Sequence, residues 1–513
     1  MLDATPALRC YARWRLGALA VEDPVAAQRR QLLRLIRRAE ETAFGRAHRF
    51  SHIQTVHEFQ ERVPLRHYED FWRDWWQPVF PQLTNVTWPG SIPYFALSSG
   101  TSSGTTKYIP VSRQMVSSNR RAALDILVHH LAARPDSRVL AGRNFMLGGS
   151  TDLKRERPGI YSGDLSGIAA REVPWWARAR YFPPPELALI ADWERKMEVL
   201  GPLSLSADIR SIGGTPSWVL WFFGRLAELR PELPPRVGSW YPDLELYVHG
   251  GVNFSPYRTQ FEALFEGTPV AMREVYPASE GFMAIADQGY GEGLRLLVDN
   301  GLFLEFVPVE EIDAGRPTRH WMPDIEPDVN YAVVLSSNAG LWSIVVGDTV
   351  RFVSIRPPRV LVTGRLSYML SAFGEHLIAE EIENAMLAAS RVAGVQATEF
   401  TATAIYPAHP GELGRHAFVV EFAREIGAAA LVRFREALDA ALSAENEDYR
   451  AHRSGLRQPV LTAVSAGSFG AWMKHRGRAG GQNKVPRVIN DTALFADLLA
   501  FMRAEGRVVS EVG

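Results

Sequence analysis

The sequence predicts an α/β protein in two unequal parts. The larger is an N-terminal domain of α/β sheets with a β-rich subdomain, over 1–364. The smaller is a C-terminal α+β domain, over 365–513. Three observations predict this. An apolar run, Tyr94 to Leu97, enters a loop of hydroxyl and glycine residues, and strand character returns at Tyr108–Val111. Two later strand runs, Leu244–Val248 and Met272–Tyr276, end in glycine or small polar residues, the edge at which open α/β sheets bind ligands. Beyond Gly364-Arg365 the chain alternates helix and strand, as a small separate domain does.

Composition fits a globular protein, with 46% hydrophobic and 22% charged residues. The net charge of -1 gives no electrostatic case for nucleic acid or an anionic membrane. A single cysteine, Cys10, excludes an internal disulfide framework and any multi-cysteine metal site, and fits a reducing cytoplasm. Arg9, Arg13 and Arg15 interrupt the first apolar stretch, so a signal peptide is not expected. No run approaches the roughly 20 apolar residues of a membrane span.

Taken in order, Asp23-Pro24 reads as an N-cap followed by proline at the first helical position. Val25, Leu32, Ile36, Ala39 and Ala43 then recur at helical spacing, and Gly45 is the expected end. The arginines at 29, 30, 34, 37 and 38 lie largely off that stripe and read as a solvated face. Helices are expected through His57–Glu61, around Tyr68–Trp76, and over Met115–Ala133. The stretch from Phe145 to Tyr181 mixes glycine, proline and aromatic residues, as pocket walls and surface loops both do. Thr215-Pro216 starts an amphipathic helix to Leu229. From Leu294 the period shifts to two, through runs at 302–306, 331–335, 342–346 and 350–353, with Gly347-Asp348 expected in the last hairpin. In the remainder, Glu380–Ala389 and Ala428–Leu442 read as helices and Ala417–Phe422 as a strand.

The loop after Leu97 reads SSGTSSGTTK. Gly100 and Gly104 allow backbone to approach an anion, the hydroxyls of Ser98, Ser99 and Thr101 offer donors, and Lys107 adds a positive charge. The spacing is not that of a P-loop, in which glycine, lysine and a hydroxyl residue are consecutive. His249 is open between a satisfied structural histidine and a pocket residue.

Four motifs in one order carry more than any of them alone: SSGTSSGTTK (98–107), YPASEG (276–281), Gly347-Asp348 and TGR (363–365). With TAFGRAHRF, VPLRHYEDF, HGGVNFSPYR, AFGEHL and GGQNKVPR, they resemble the auxin-responsive Gretchen Hagen family of acyl acid amido synthetases, in its bacterial branch. That family sits within the acyl-adenylating superfamily of firefly luciferase and acyl-CoA synthetases. The resemblance implies ATP- and Mg²⁺-dependent adenylation of a carboxylic acid, then acyl transfer to an amine such as an amino acid. It implies that Ser98, Ser99, Gly100, Thr101 and Lys107 hold the ATP phosphates and that Tyr276 lies against adenine. It further implies Ser279 at the α-phosphate, Glu280 on Mg²⁺, Asp348 on the ribose hydroxyls and Arg365 at the hinge. Lys484 would reach the reacting carboxylate from a mobile C-terminal lid. Pro277-Ala278, and Ile344–Val346 before Gly347, depart from the plant pattern. The aromatic wall candidates favour an aryl or apolar acid. Two other readings stand beside this one: a thioester ligase using coenzyme A or a separate carrier protein, and a nucleotide-binding protein without ligase activity.

Overall fold

The computed structural model describes residues 2–98, 106–148, 152–175, 177–188, 190, 193–251, 254, 257–312, 314–366, 369–370, 372–375, 377–409, 411–476 and 485–513. It is a mixed α/β structure with a large N-terminal sheet domain and a separate C-terminal domain.

The strands are β1 Tyr94–Ser98, β2 Lys107–Val111, β3 Arg143–Leu147, β4 Lys154–Arg157, β5 Ile160–Gly163, β6 Tyr181–Phe182 and β7 Ile209–Gly214. There follow β8 Leu246–Gly250, β9 Ala271–Ala278, β10 Gly281–Ile285, β11 Leu294–Leu296, β12 Leu302–Pro308, β13 Asn330–Ser337, β14 Ile344–Ile355 and β15 Pro358–Arg365. Eleven of these form one sheet in the order β12-β13-β14-β15-β11-β10-β9-β8-β7-β3-β6. From β6 to β9 neighbours are parallel, and from β9 onward they are antiparallel. The β-rich stretch after Leu294 is thus a continuation of the main sheet rather than a separate one. The change of direction falls at the β9–β10 turn, which carries Ser279-Glu280.

A second sheet, β2-β1-β5-β4, packs on the antiparallel half. Phe95, Ile109 and Val111 share one core with Met283, Phe303, Tyr331 and Trp342. The parallel half has its own core, in which Phe145, Ile212 and Tyr247 meet Phe222, Phe223 and Phe261.

The helix start at Asp23 follows the sequence, and the helix expected from Met115 starts two residues earlier, at Arg113. Asp23 accepts from the Ala26 N–H and opens helix Pro24–Ala39, and Ser112 accepts from the Met115 N–H and opens helix Arg113–Ala133. The first of these stops at Ala39, short of Gly45. Thr42 accepts from the Gly45 N–H and begins a new short helix, Ala43–Ala47, so a second cap overrides the continuing apolar period. Helix Thr5–Val21 has no counterpart in the expectations. Its buried stripe contains Arg15, which bonds Asp125 at 2.9 and 2.7 Å and Asp299 at 2.7 and 3.0 Å.

The C-terminal elements include β16 Met369–Leu370, β17 Leu377–Ile378, β18 Ala397–Ile405, β19 Arg415–Phe422, β20 Val460–Val464 and β21 Val508–Val512. The last four form one sheet. Side chains alternate along β19. Phe418, Val420 and Phe422 pack with helices Ala379–Ala393 and Ala428–Glu445, while Ala417 and Val419 pack with Phe469, Trp472 and Leu498. Contacts to the larger domain include a hydrogen bond and a ring pair. The Tyr257 hydroxyl donates to the Ala372 carbonyl at 2.7 Å, and the rings of Trp218 and His452 lie 4.5 Å apart.

Candidate active site

Three local structures present the motif residues. The first is the connection between β1 and β2, whose antiparallel register sets Ser98 opposite Lys107. Ser99, Gly100 and Thr101 lie outside the described residues. Lys107 is nearly buried, with its ammonium 3.1 Å from Glu69 Oε1 and 5.0 Å from the Tyr68 ring centroid. Glu69 and Tyr68 belong to the VPLRHYEDF stretch, whose acidic and aromatic residues carried no sign of this pairing. A bound phosphate at Lys107 would share the lysine with that carboxylate.

The second is the two-residue turn Ser279-Glu280, closed by the Ala278–Gly281 pair. A Cβ on Gly281 would sit 2.7 Å from Leu302 Cδ2, so a larger residue here would make the leucine side chain shift. Both Ser279 and Glu280 are half-buried.

The third is a bulge in β14. Thr349 pairs with Ala332 and Val345 with Val334, so Val346, Gly347 and Asp348 together oppose the single residue Val333. Gly347 takes φ +96° there, a conformation that favours glycine. Gly347-Asp348 is therefore not in a hairpin turn but inside a strand, where the bulge re-aims Asp348. The Tyr276 hydroxyl donates to Asp348 Oδ2 at 2.8 Å, joining two motifs 72 residues apart. Asp348 also lies opposite Arg365 in the β14–β15 register. The Arg365 side chain and Lys484 lie outside the described part of the molecule.

Tyr276, Asp348 and the backbone of Arg365 are thus brought together on one sheet, with the Ser279-Glu280 turn three residues along from Tyr276. Removing one hydroxyl tests the junction. Tyr276→Phe keeps the ring and takes a donor from a buried carboxylate, so unfolding in denaturant should show a loss of about 1–3 kcal/mol.

Two polar residues on the neighbouring strands stand apart. His249, on β8, is 3% exposed and stacks on Phe254 at 3.8 Å between centroids, and its Nδ1 has no hydrogen-bond partner. Burial pushes its pKa down to about 3. Glu274, on β9, pairs with His249 in the parallel register. Burial pushes its carboxyl up to about 7. Glu274 reads in sequence only as one letter of a strand, because its surroundings come from β8.

No group of three or more metal-ligating side chains occurs among the described residues. Magnesium needs no such cage: it is commonly held by one or two carboxylates together with substrate phosphates and water. Glu280, at the turn, is of the right kind to be that carboxylate.

No helix among the described residues is long and apolar enough to cross a membrane.

Among known proteins, the GH3 family N-terminal domain matches residues 18–199, the GH3 family central domain 295–365 and the GH3 family C-terminal domain 380–493. No curated protein sequence matches. Solved structures agree in fold. The GH3.15 acyl acid amido synthetase is 17% identical, with a TM-score of 0.58, over 97% of this chain and 95% of that one. The same kind of enzyme in complex with 2,4-DB gives 16% identity and a TM-score of 0.57 over 97% and 96%. A 2-hydroxyisobutyryl-CoA ligase, in complex with 2-HIB-AMP and CoA in the thioesterification state, gives 17% and 0.58 over 93% and 92%. With all three of its domain types matched in chain order, the protein belongs to the GH3 family.

Proposed function

We propose that the protein is an ATP-dependent, AMP-forming ligase that adenylates a carboxylic acid and transfers the acyl group to an amine, most simply an amino acid, to form an amide. The observation that carries this reading is the Tyr276–Asp348 hydrogen bond within a chain matched by all three GH3 domains. It joins the strand leading to Ser279-Glu280 to the bulge holding Asp348, the two places where the reading puts the nucleotide.

The roles follow from chemistry. Attack of a carboxylate on a triphosphate sets negative charge against negative charge, so cations placed at the phosphates lower the barrier. Lys107, with Ser98, Ser99, Gly100 and Thr101, is the proposed phosphate grip, and Ser279 the proposed α-phosphate contact. Magnesium, held through Glu280, would supply charge neutralisation at the phosphates. Tyr276 offers a ring face for the adenine, and Asp348 accepts from ribose hydroxyls. Arg365, at the end of β15, is the proposed hinge contact. We assign residues 365–513 to a mobile lid carrying Lys484, so that the site is complete only when closed and water is kept from the acyl-adenylate. This reading takes the location to be the cytoplasm, with which a lone cysteine is compatible.

A second reading keeps adenylation and changes the acceptor to coenzyme A or a separate carrier protein. The similarity to the CoA ligase, equal in TM-score to that of the amido synthetase, favours keeping it. One experiment separates them: AMP release with magnesium, ATP and a panel of aryl and aliphatic carboxylic acids, with amino acids in one set and coenzyme A in another. AMP with an amide mass supports the first reading, and AMP with coenzyme A alone supports the second. No AMP in any set counts against both.

A further inference from the structure

His249 and Glu274 are unexplained by the roles above. They face each other in register on two parallel strands, and residues paired across a sheet share a face. That face is the one on which Tyr247 meets Phe261 and Met272 packs against the same core. Arg273 points the other way, donating to the Ala286 and His129 carbonyls. Tyr276, one strand repeat beyond Glu274, belongs to the proposed nucleotide site. The pair therefore sits at the carboxyl ends of the parallel strands, beside that site and walled by Tyr247, Phe254 and Met272.

Neither side chain is satisfied by the protein. The His249 Nδ1 has no partner, and among the described residues Glu274 makes no side-chain hydrogen bond or ion pair. A buried polar atom left unpaired, as the His249 Nδ1 is, costs about 1–3 kcal/mol and persists where something else completes it, and Glu274 beside it is half-buried. We propose that His249 and Glu274 form a polar subsite that binds an O–H or N–H group of a substrate. That group is a hydroxyl or amino substituent on the acyl acid, or the acceptor amine itself. A neutral imidazole and a carboxyl able to give or take a proton complement such a group, and the surrounding aromatic rings complement the carbon skeleton that bears it. The inference rests on the ligase reading and specifies its substrate chemistry.

The test replaces both side chains by apolar ones of similar shape, Glu274→Met with His249→Phe. Because the native groups are unpaired, the double variant should melt at or above the wild-type temperature, whereas a structural pair would make it melt lower. The probes are benzoate and hexanoate, each against its hydroxy- and amino-substituted forms. Pyrophosphate exchange needs only the acid, and amide formation with free amino acids needs the acceptor as well. An acid-borne group predicts that the wild-type preference for substituted over plain acids in exchange falls at least about 30-fold in the variant. An acceptor-borne group predicts that amide formation relative to exchange falls by a similar factor. Both ratios unchanged within about threefold, or a lower melting temperature with equal loss for every substrate, overturns the subsite and leaves the ligase reading standing. Absence of exchange by the wild type with every acid overturns the ligase reading, and the subsite with it.

Discussion

Glu280→Ala is expected to lower pyrophosphate exchange at least about 100-fold, because the variant loses the one carboxylate proposed to hold a cation against the phosphates. The same loss should appear in Glu280→Gln, which keeps the side-chain length and removes the charge. The fold should survive both changes. Glu280 is half-buried in a two-residue turn whose closure depends on the backbone of Ala278 and Gly281. A melting temperature close to wild type, with exchange lost, identifies the carboxylate as a group of the site. Raising magnesium should restore part of the Gln variant's rate if its remaining ligands are water and phosphate oxygens. Exchange within about threefold of wild type in both variants would remove Glu280 from the reaction.

What the sequence revealed of this site, and what it did not, divides along a physical line. Features written in consecutive residues were legible: the cap at Asp23, the hydroxyl-rich connection between β1 and β2, and the small-residue turn after Tyr276. Features made by distant strands were not. The bulge that places Asp348 arises from the pairing of β14 with β13, and a strand-like run such as Ile344–Val346 carries no mark of a register shift. The Glu69 carboxylate beside Lys107 comes from a helix 38 positions earlier in the chain, so the lysine alone reads as an unopposed charge. Helix Thr5–Val21 was missed for a similar reason. Its inward stripe contains Thr5 and Arg15, and burial of that arginine makes sense only once Asp125 and Asp299 are in place.

The AFGEHL stretch shows how a motif can carry stability instead of chemistry. Glu375 is fully buried, and its carboxylate accepts from the Ala372 N–H at 3.1 Å, the Phe373 N–H at 2.8 Å and His416 Nε2 at 2.8 Å. Burial would raise its pKa, and the nearby His416 together with these hydrogen bonds holds it below the usual glutamate range instead. A depressed carboxyl contributes stability that is present above its unfolded pKa, about 4.3, and is lost as the pH falls through the folded value. The bonds tie the turn entering the C-terminal domain to β19, and the Ala372 carbonyl of that turn also accepts from Tyr257 of the larger domain. Glu375→Ala leaves His416 and two N–H groups buried without their acceptor, so the C-terminal domain should lose about 3–5 kcal/mol in denaturant unfolding. His416→Ala should also destabilise it, and the double variant should lose less than the sum of the two, since the second change removes a group already stranded by the first. Additive losses would mean that the two side chains act independently, and the 2.8 Å contact would then contribute nothing of its own.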